Sequence, residues 1–324
     1  MFNKFIYKLF LFILVGHVFS NDQGERVEFM SSSPFSFYHI ITNLENEIDK
    51  EVYGTLRFPD NLKQDNLPMV LGINGSKNWA SHHLEYLAMF REMGFATFEL
   101  HSFNSRNVKS TVGSQTQVTT AMMILDAYRA LEKLSYDPRI NTDNVAMIGW
   151  SLGGGAVLFS AWKPIMDAIS SSIRFKAHLS FYPPCLVDLD LMSFSSSPIH
   201  ILIGELDNWV SSEACEDLVY KLNEEGVNIN IDIYEESHHG FDREGPLYIE
   251  KNGYRTGECH FNMRSDGALL MNFFNIPMTT PLRQKIALAM CAKRGPTIGG
   301  NSMAREKSFE FAKSYMEKHL LNKK

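Results

Sequence analysis

The chain has 324 residues, of which 44% are hydrophobic and 21% are charged, and its formal net charge is −6. This composition is typical of a globular protein with enough chain for a large core. The negative charge, without any block of basic residues, argues against a nucleic-acid partner.

The first twenty residues have the pattern of a secretory signal peptide. Lys4 and Lys8 provide positive charge, and residues 9–15 are apolar. Val18 and Ser20 offer small or modest side chains at the −3 and −1 positions before a cleavage site. A membrane anchor is the alternative, but the apolar run is too short to span a bilayer. We therefore expect residues 1–20 to be removed and the protein to be periplasmic or secreted, without a stable membrane anchor.

Further along the chain, short apolar runs alternate with helical patterns. Residues 21–43 are polar and predict irregular structure, and residues 52–58 alternate and end at Pro59, which suits an antiparallel edge strand. The other predicted strands are residues 68–73, 95–100, 145–148, 175–182, 198–203 and 227–234. One predicted helix ends at Gly94, and the others cover residues 121–134, 152–159, 213–223 and 304–321.

This alternation predicts one α/β domain over residues 21–324, with a mostly parallel sheet and helices on both faces. Ligands of such sheets bind beyond the carboxyl ends of the strands, so the loops after these strands are expected to meet around one cleft. Residues 242–303 are too long for a plain connection. We expect them to form a cap or a lateral insertion near the site, before the last helix.

Four cysteines follow the signal segment, and all of them lie in the carboxyl-terminal half of the chain. An even number in an exported protein suggests disulfides, and three pairings are possible. None has Cys-x-x-Cys spacing, which argues against a metal or redox site. The expected pairs are Cys185–Cys215 and Cys259–Cys291, with four free buried thiols as the alternative.

The most informative motif is Gly-Trp-Ser-Leu-Gly at residues 149–153, which fits G-x-S-x-G. A predicted strand precedes it and a predicted helix follows it, which is the context of a nucleophile elbow. In such a turn Ser151 Oγ is exposed at the end of the strand. The N–H of Leu152, at the start of the helix, then points to where an oxyanion forms.

A serine nucleophile needs a base and an acid that orients the base, and in α/β-hydrolases the chain order is serine, acid, histidine. The loop after residue 203 offers Asp207, which is favoured over Glu205 because it lies further past the strand. The loop after residue 234 offers His239, which is favoured over His238 because a glycine and a phenylalanine follow it.

A second oxyanion donor is expected in the loop after the strand at residues 68–73. The backbone N–H of Ser76 is the candidate. Residues 74–76 also form an N-glycosylation sequon, but a glycan at that place would block the cleft, so we interpret the sequon as a coincidence.

Taken together, these motifs resemble the dienelactone hydrolase family of the α/β-hydrolases. The matching pieces lie in family order at residues 149–154, 181–184, 204–207 and 239–241. The resemblance implies the α/β-hydrolase fold, and it suggests that Arg106 binds a substrate carboxylate. Trp150, Tyr182 and Trp209 are further candidates for substrate contacts. The best-known members use a cysteine nucleophile, whereas this chain has Ser151, which favours general ester hydrolysis.

The expected function is hydrolysis of small carboxylic esters or lactones through Ser151, His239 and Asp207, without a metal or another cofactor. A prolyl-oligopeptidase-like peptidase is an alternative, because the same elbow occurs there, although those enzymes carry a long N-terminal propeller that this sequence does not show. A binding protein that keeps the fold without activity is a second alternative. The oligomeric state is left open.

Overall fold

The computed structural model describes residues 24–60 and 65–321, so the expected signal peptide lies outside the described residues. The central elements are a sheet of eight strands and the helices that pack on it. The strands are β1 (Glu25–Ser31), β2 (Lys50–Arg57), β3 (Leu67–Ile73), β4 (Ala96–Leu100), β5 (Ile140–Trp150), β6 (Ala177–Phe181), β8 (Ile199–Gly204) and β9 (Ile229–Tyr234), with the short β7 (Val187–Leu189) outside this sheet. The helices are α1 (Phe37–Asn43), α2 (Ser81–Glu92), α3 (Thr120–Leu134), α4 (Leu152–Phe159), α5 (Lys163–Ile169), α6 (Ser212–Glu224), α7 (Pro281–Cys291) and α8 (Ser302–Leu320).

The strand order of the sheet is β1-β2-β4-β3-β5-β6-β8-β9. The first three strands in this order pair antiparallel, and every pair from β4 to β9 is parallel. Consecutive residues of β5 point to opposite faces, where Gly149 approaches Val157 of α4 and the Trp150 ring stacks on His83 of α2. Helices therefore cover both faces, as predicted, which explains why the parallel strands are almost continuously apolar.

The amino-terminal part of the domain differs from the prediction. Residues 21–43 were expected to be irregular, but they contain β1 and α1. As a consequence β2 is not the edge strand, because β1 pairs with it along its whole length. In β1 the alternate positions Val27, Phe29 and Ser31 face the protein, whereas Arg26, Glu28 and Met30 between them are exposed. A short strand at the edge of a sheet needs no more apolar residues than this, so its signal in the sequence is weak.

Residues 242–303 form small antiparallel pairs and one helix near the carboxyl end of the sheet. The short strands are β10 (Tyr248–Ile249), β11 (Tyr254–Arg255), β12 (Phe261–Met263), β13 (Leu269–Leu270), β14 (Lys293–Arg294) and β15 (Thr297–Ile298). Strand β12 also pairs with β7, which joins the insertion to the main domain. A second hydrophobic cluster lies mostly in the insertion, where Phe261, Met278 and Leu288 are buried, and it includes Leu186 from the loop after β6.

One disulfide lies in the main domain and a second lies in the insertion, and their pairing is the expected one. Cys185–Cys215 joins the loop after β6 to α6, and its Cα atoms are 4.9 Å apart. Cys259–Cys291 closes the insertion, and its Cα atoms are 5.1 Å apart. Both Cα separations lie within the usual range for a disulfide. Within residues 24–60 and 65–321, no helix is long and apolar enough to span a membrane.

Candidate active site

Ser151 lies between the last residue of β5 and the first residue of α4, with φ 55° and ψ −115°. Such a backbone conformation costs a side-chain-bearing residue about 1–3 kcal/mol and has to be held by its surroundings. The Ser151 N–H donates to Phe181 O at 2.9 Å, and its carbonyl accepts from Gly155 N at 2.9 Å. A Cβ at Gly149 would lie 2.4 Å from Gly153 O, so the flanking glycines are needed for the close approach of strand and helix.

His239 reaches Ser151 from the loop after β9. Its Nε2 is 2.9 Å from Ser151 Oγ, and its Nδ1 is 2.7 Å from Asp207 Oδ2. The other carboxylate oxygen of Asp207 accepts from the backbone N–H groups of Trp209 and Val210 at 2.9 and 3.1 Å. Because a carboxylate accepts at Nδ1, the proton of the neutral imidazole lies there and Nε2 is left as the acceptor for the serine hydroxyl.

The two rival residues lie elsewhere. Glu205 Oε2 accepts from the backbone N–H of Glu236 at 2.9 Å, and it is Asp207, not Glu205, that pairs with the imidazole. His238 precedes His239, and its Nδ1 is buried without a hydrogen-bond partner among the described residues. The three residues expected from the sequence, Ser151, Asp207 and His239, are therefore the ones that the structure joins in one hydrogen-bonded chain.

Aromatic rings hold the imidazole from two directions. The centroid of the Trp209 ring is 4.8 Å from that of His239, and the centroid of Tyr182 is 4.6 Å away. His239 itself is only 2% exposed. These contacts restrict rotation of the imidazole and keep both of its nitrogens on their hydrogen-bond partners.

The expected oxyanion donors lie beside the nucleophile. Gly75 packs directly against the elbow, because a Cβ there would be 3.1 Å from Trp150 O and 3.4 Å from Ser151 Cβ. The next residue, Ser76, and Leu152 both line a cavity together with Ser151. The Ser76 carbonyl accepts from Thr111 N at 2.9 Å, which fixes the loop. Within residues 24–60 and 65–321, neither the Ser76 nor the Leu152 amide donates to a protein acceptor.

Behind the elbow lies a buried carboxylate that the sequence did not single out. Asp242 is completely buried, and its two oxygens accept from Tyr182 Oη at 2.8 Å and from Trp150 Nε1 at 3.0 Å. Burial, with the charge of Asp242 adding to it, raises the pKa of Tyr182 well above its usual value, so the phenol stays a donor. The only signal in the sequence was position, because Asp242 directly follows His-Gly-Phe.

This arrangement bears on two aromatic residues that were expected to contact the substrate, both of which line the smaller cavity beside Ser151. Trp150 is fully buried and its indole N–H donates to Asp242, so this N–H is not free to bind a substrate. The Tyr182 hydroxyl is also occupied, and the residue is 2% exposed. Tyr182 acts on the site through its contact with His239. Trp209 does line the cavity beside Ser151.

Arg106 is not placed to bind a substrate carboxylate, and that expectation is wrong. Its guanidinium forms two hydrogen bonds to Asp126, at 2.7 and 3.0 Å, and further ones to Ser33 Oγ and the Ser102 and Ser32 carbonyls. Its side chain is 7% exposed, and that of Asp126 is fully buried. The ion pair ties the loop after β4 to α3 and to the segment after β1.

Two cavities meet at Ser151. The larger has a volume of about 220 Å³ and extends under residues 242–303. The smaller has a volume of about 60 Å³ and is lined by His239, Gly240 and Arg243 together with His82 and His83. Burial lowers the pKa of His82, and it holds the pKa of His83 well below its usual value. Both histidines are therefore neutral donors or acceptors near neutral pH.

Asn74 bears on the sequon at residues 74–76. It is completely buried, and its side-chain N–H donates to Gly75 O at 3.0 Å. A buried amide cannot carry a glycan, which agrees with the interpretation of the sequon as a coincidence. In the part of the chain that the structure describes, no group of three or more His, Cys, Asp or Glu residues could hold a metal ion.

Comparison with known proteins gives the family. The model of the dienelactone hydrolase family matches residues 88–259, more than half of the chain. Among solved structures, m3DLH is similar with a TM-score of 0.57 and 13% identity, over 92% of this chain and 99% of that one. A putative dienelactone hydrolase from Klebsiella pneumoniae subsp. pneumoniae MGH 78578 has a TM-score of 0.50 and 14% identity, over 67% and 89%. A comparison with curated proteins found no match.

At these identities the structural likeness shows the fold, an α/β-hydrolase fold with a large, mostly parallel sheet. The family match covers α3, the elbow and α6, together with the segment that begins the insertion. The chain therefore belongs to the dienelactone hydrolase family, and it is a serine hydrolase of that type.

Proposed function

We propose that this protein hydrolyses carboxylic esters, lactones included, through an acyl-enzyme on Ser151. The observation that carries the proposal is the continuous chain from Asp207 Oδ2 to His239 to Ser151 Oγ, with distances of 2.7 and 2.9 Å. A serine hydroxyl is a poor nucleophile unless a base accepts its proton, and this chain provides that base within hydrogen-bond reach.

In the first half of the reaction, Ser151 Oγ attacks the ester carbonyl while His239 Nε2 takes the hydroxyl proton. Asp207 stabilises the imidazolium without becoming protonated itself. The carbonyl oxygen becomes an oxyanion, which accepts from the N–H groups of Leu152 and Ser76. Each such donor is worth about 3 kcal/mol in comparable sites.

In the second half, the imidazolium of His239 donates its proton to the leaving alcohol oxygen as the C–O bond breaks. The acyl group remains on Ser151. A water molecule then gives its proton to His239 and attacks the acyl carbon, and the return of the proton to Ser151 Oγ releases the acid. In a lactone the acid and the alcohol are parts of one product.

The decisive experiment compares matched pairs of variants with p-nitrophenyl acetate as substrate. Ser151→Ala and His239→Ala are each expected to lower kcat by about 10⁴-fold or more, and Asp207→Asn by a similar factor because the wrong tautomer is held. His238→Ala and Glu205→Gln are the controls, and kcat is expected to stay within about 3-fold of the parent because neither side chain contacts the reacting groups.

Full activity in a folded Ser151→Ala variant, judged by its circular dichroism, would eliminate the proposal. The same would follow if His238→Ala and His239→Ala lost activity equally. Labelling by a fluorophosphonate separates the enzyme from a silent binding protein. Parallel assays with Xaa-Pro amides separate it from a prolyl-oligopeptidase-like peptidase.

We also infer that the protein is exported as a single hydrolase domain of residues 21–324, with residues 242–303 capping the larger cavity. Support comes from the amino-terminal sequence pattern and from the two disulfides, which form and persist in oxidising compartments. Edman sequencing of the mature protein is expected to start after Ser20. An intact amino terminus on protein recovered from outside the cytoplasm would refute the cleavage.

A further inference from the structure

The two cavities at Ser151 divide an ester into its acyl and alcohol parts. Ser76, Ser151 and Trp209 line both cavities, so the reacting carbonyl lies at their junction. His239 lines only the smaller one. Because the imidazolium has to protonate the leaving oxygen, the alcohol lies on the His239 side and the acyl chain extends into the larger cavity.

The larger cavity has an uncharged wall. Among the described residues that line it, none is Asp, Glu, Lys, Arg or His. Its apolar side chains come from the segment around α1, from α3, from α4, from the loop after β6 and from the insertion. Representative members are Phe35, Phe159, Leu186, Phe261, Met278 and Leu288.

The volume of this cavity sets the size of the group that fits. A cavity of about 150 Å³ binds benzene, which has six carbon atoms. In the same proportion, the 220 Å³ cavity holds about nine carbon atoms. An acetyl group would fill only a small part of it and would leave most of the apolar wall unused.

A carboxylate at the far end of the acyl chain would lose its hydration without gaining a partner, which is strongly unfavourable. Arg106, the arginine that the sequence offered for this purpose, is buried in its pair with Asp126 and does not line the cavity. Of the two glutamines that line the cavity, Gln284 donates its Nε2 to the backbone carbonyl of Gln115 at 2.7 Å, and neither carries a charge.

We propose that the enzyme is selective for esters of uncharged, apolar acids of about eight or nine carbon atoms, and that it discriminates against acyl groups that end in a carboxylate. This inference rests on the proposed function, because it assigns the acyl side of that same site. It differs from what a family resemblance alone would suggest, since a carboxylate-bearing substrate needs a cation that this cavity does not provide.

The substrate test keeps the leaving group constant. Initial rates are measured with p-nitrophenyl acetate, octanoate and hexadecanoate and with the p-nitrophenyl half-ester of octanedioic acid. We expect kcat/KM for octanoate to exceed that for acetate by about 10-fold or more, because each buried methylene adds affinity. The half-ester, which has the same chain length, is expected to be about 100-fold poorer than octanoate. The kcat/KM for hexadecanoate, which is too long for the cavity, is expected to be about 10-fold lower than that for octanoate.

A matched pair of variants on α7 tests the location. Leu288 lines the cavity, whereas Ile286 on the same helix is 43% exposed and does not. Leu288→Trp is expected to lower the ratio of kcat/KM for octanoate to kcat/KM for acetate by about 10-fold or more, because the larger ring fills the cavity. Ile286→Trp is expected to leave this ratio unchanged. If Leu288→Trp fails to fold, Met278→Phe fills the same cavity from another segment.

The outcomes separate the two proposals. If hydrolysis of every ester is independent of Ser151, the proposed function fails and the acyl assignment fails with it. If hydrolysis depends on Ser151 but acetate equals or exceeds octanoate, only the acyl assignment is overturned. A half-ester that matches octanoate within about 3-fold would overturn it as well, since the uncharged wall predicts a large penalty. Equal effects of Leu288→Trp and Ile286→Trp on octanoate would show that the larger cavity does not hold the acyl chain.

Discussion

Replacing Arg106 by methionine tests whether the guanidinium supports the fold or binds substrate. Methionine keeps most of the length of the side chain but removes the charge and all the donors. Asp126 would then remain fully buried with Ser31 Oγ as its hydrogen-bond donor at 2.6 Å. Breaking a buried ion pair by removing one partner costs about 3–5 kcal/mol, because the remaining charge is left uncompensated.

The expected change is large enough to measure. A chain of this length has an unfolding entropy of about 0.7 kcal/mol/K near its midpoint, so a loss of about 3–5 kcal/mol lowers Tm by about 4–7 °C. Calorimetry and urea unfolding would both report it. For the folded variant, kcat/KM is expected to stay within about 3-fold of the parent for the octanoate ester and for the octanedioate half-ester alike, since the side chain does not reach the cavity.

Two further variants complete the test. Arg129 lies on the same helix, α3, in an exposed pair with Glu132, so Arg129→Met is expected to cost less than about 1 kcal/mol. Arg106→Met combined with Asp126→Asn removes the buried charge and is expected to recover part of the lost stability. The reasoning would be refuted if Arg106→Met left Tm unchanged while it selectively lowered activity on the half-ester, because that is the behaviour of a residue that binds substrate.

Three other predictions follow from the geometry. Asp242→Asn replaces an acceptor oxygen by a donor, so we expect the free energy of unfolding, measured with urea, to fall by about 1–3 kcal/mol. The decrease in kcat should be much smaller than that of Ser151→Ala. A kcat as low as that of Ser151→Ala would contradict a supporting role for Asp242. Burial lowers the pKa of His178 to about 4, so this histidine stays neutral in the folded state, whereas in the unfolded chain it takes up a proton below about pH 6.5. The free energy of unfolding should therefore fall by up to about 3 kcal/mol as the pH is lowered from 6.5 to 4. In His178→Phe, the urea midpoint should depend less on pH over this range. Changing both Cys259 and Cys291 to serine removes a cross-link across 32 positions, which contributes about 3–4 kcal/mol to the stability of the insertion. We expect faster amide exchange in residues 254–291 and a raised KM for octanoate, with the KM for acetate unchanged. Unchanged exchange would contradict the role of this disulfide.

The parallel part of the sheet and the elbow were predictable from the sequence because both depend on local signals. Buried parallel strands are short apolar runs, and G-x-S-x-G between a strand and a helix is recognisable because its glycines permit the close approach of the two elements. The edge strand β1 was missed because only alternate positions of a one-sided strand are apolar. Its stability comes from pairing with β2, which local sequence does not report.

The errors at the site have one physical cause, which is that a side chain's direction is set by partners distant in the sequence. Arg106 resembled a substrate ligand in its loop, but its ion-pair partner, Asp126, lies 20 positions later among the buried positions of α3. A lone carboxylate among buried positions of α3 was the available signal. Trp150 is next to the nucleophile in the chain, yet the alternation of β5 turns it to the other face of the sheet, against α2.

The catalytic residues and the wall of the acyl cavity lie in parts of the chain whose hydrophobic clusters differ greatly in size. Ser151, Asp207 and His239 follow strands of an extensive core, whereas the outer wall of the acyl cavity comes from an insertion whose hydrophobic cluster is small. A cluster of that size supplies little folding free energy, so the insertion needs its disulfide and its pairing with β7 to stay closed. Local opening of the insertion should therefore abolish the preference for octanoate before it affects hydrolysis of acetate, because acetate needs only the serine, the imidazole and the two amides.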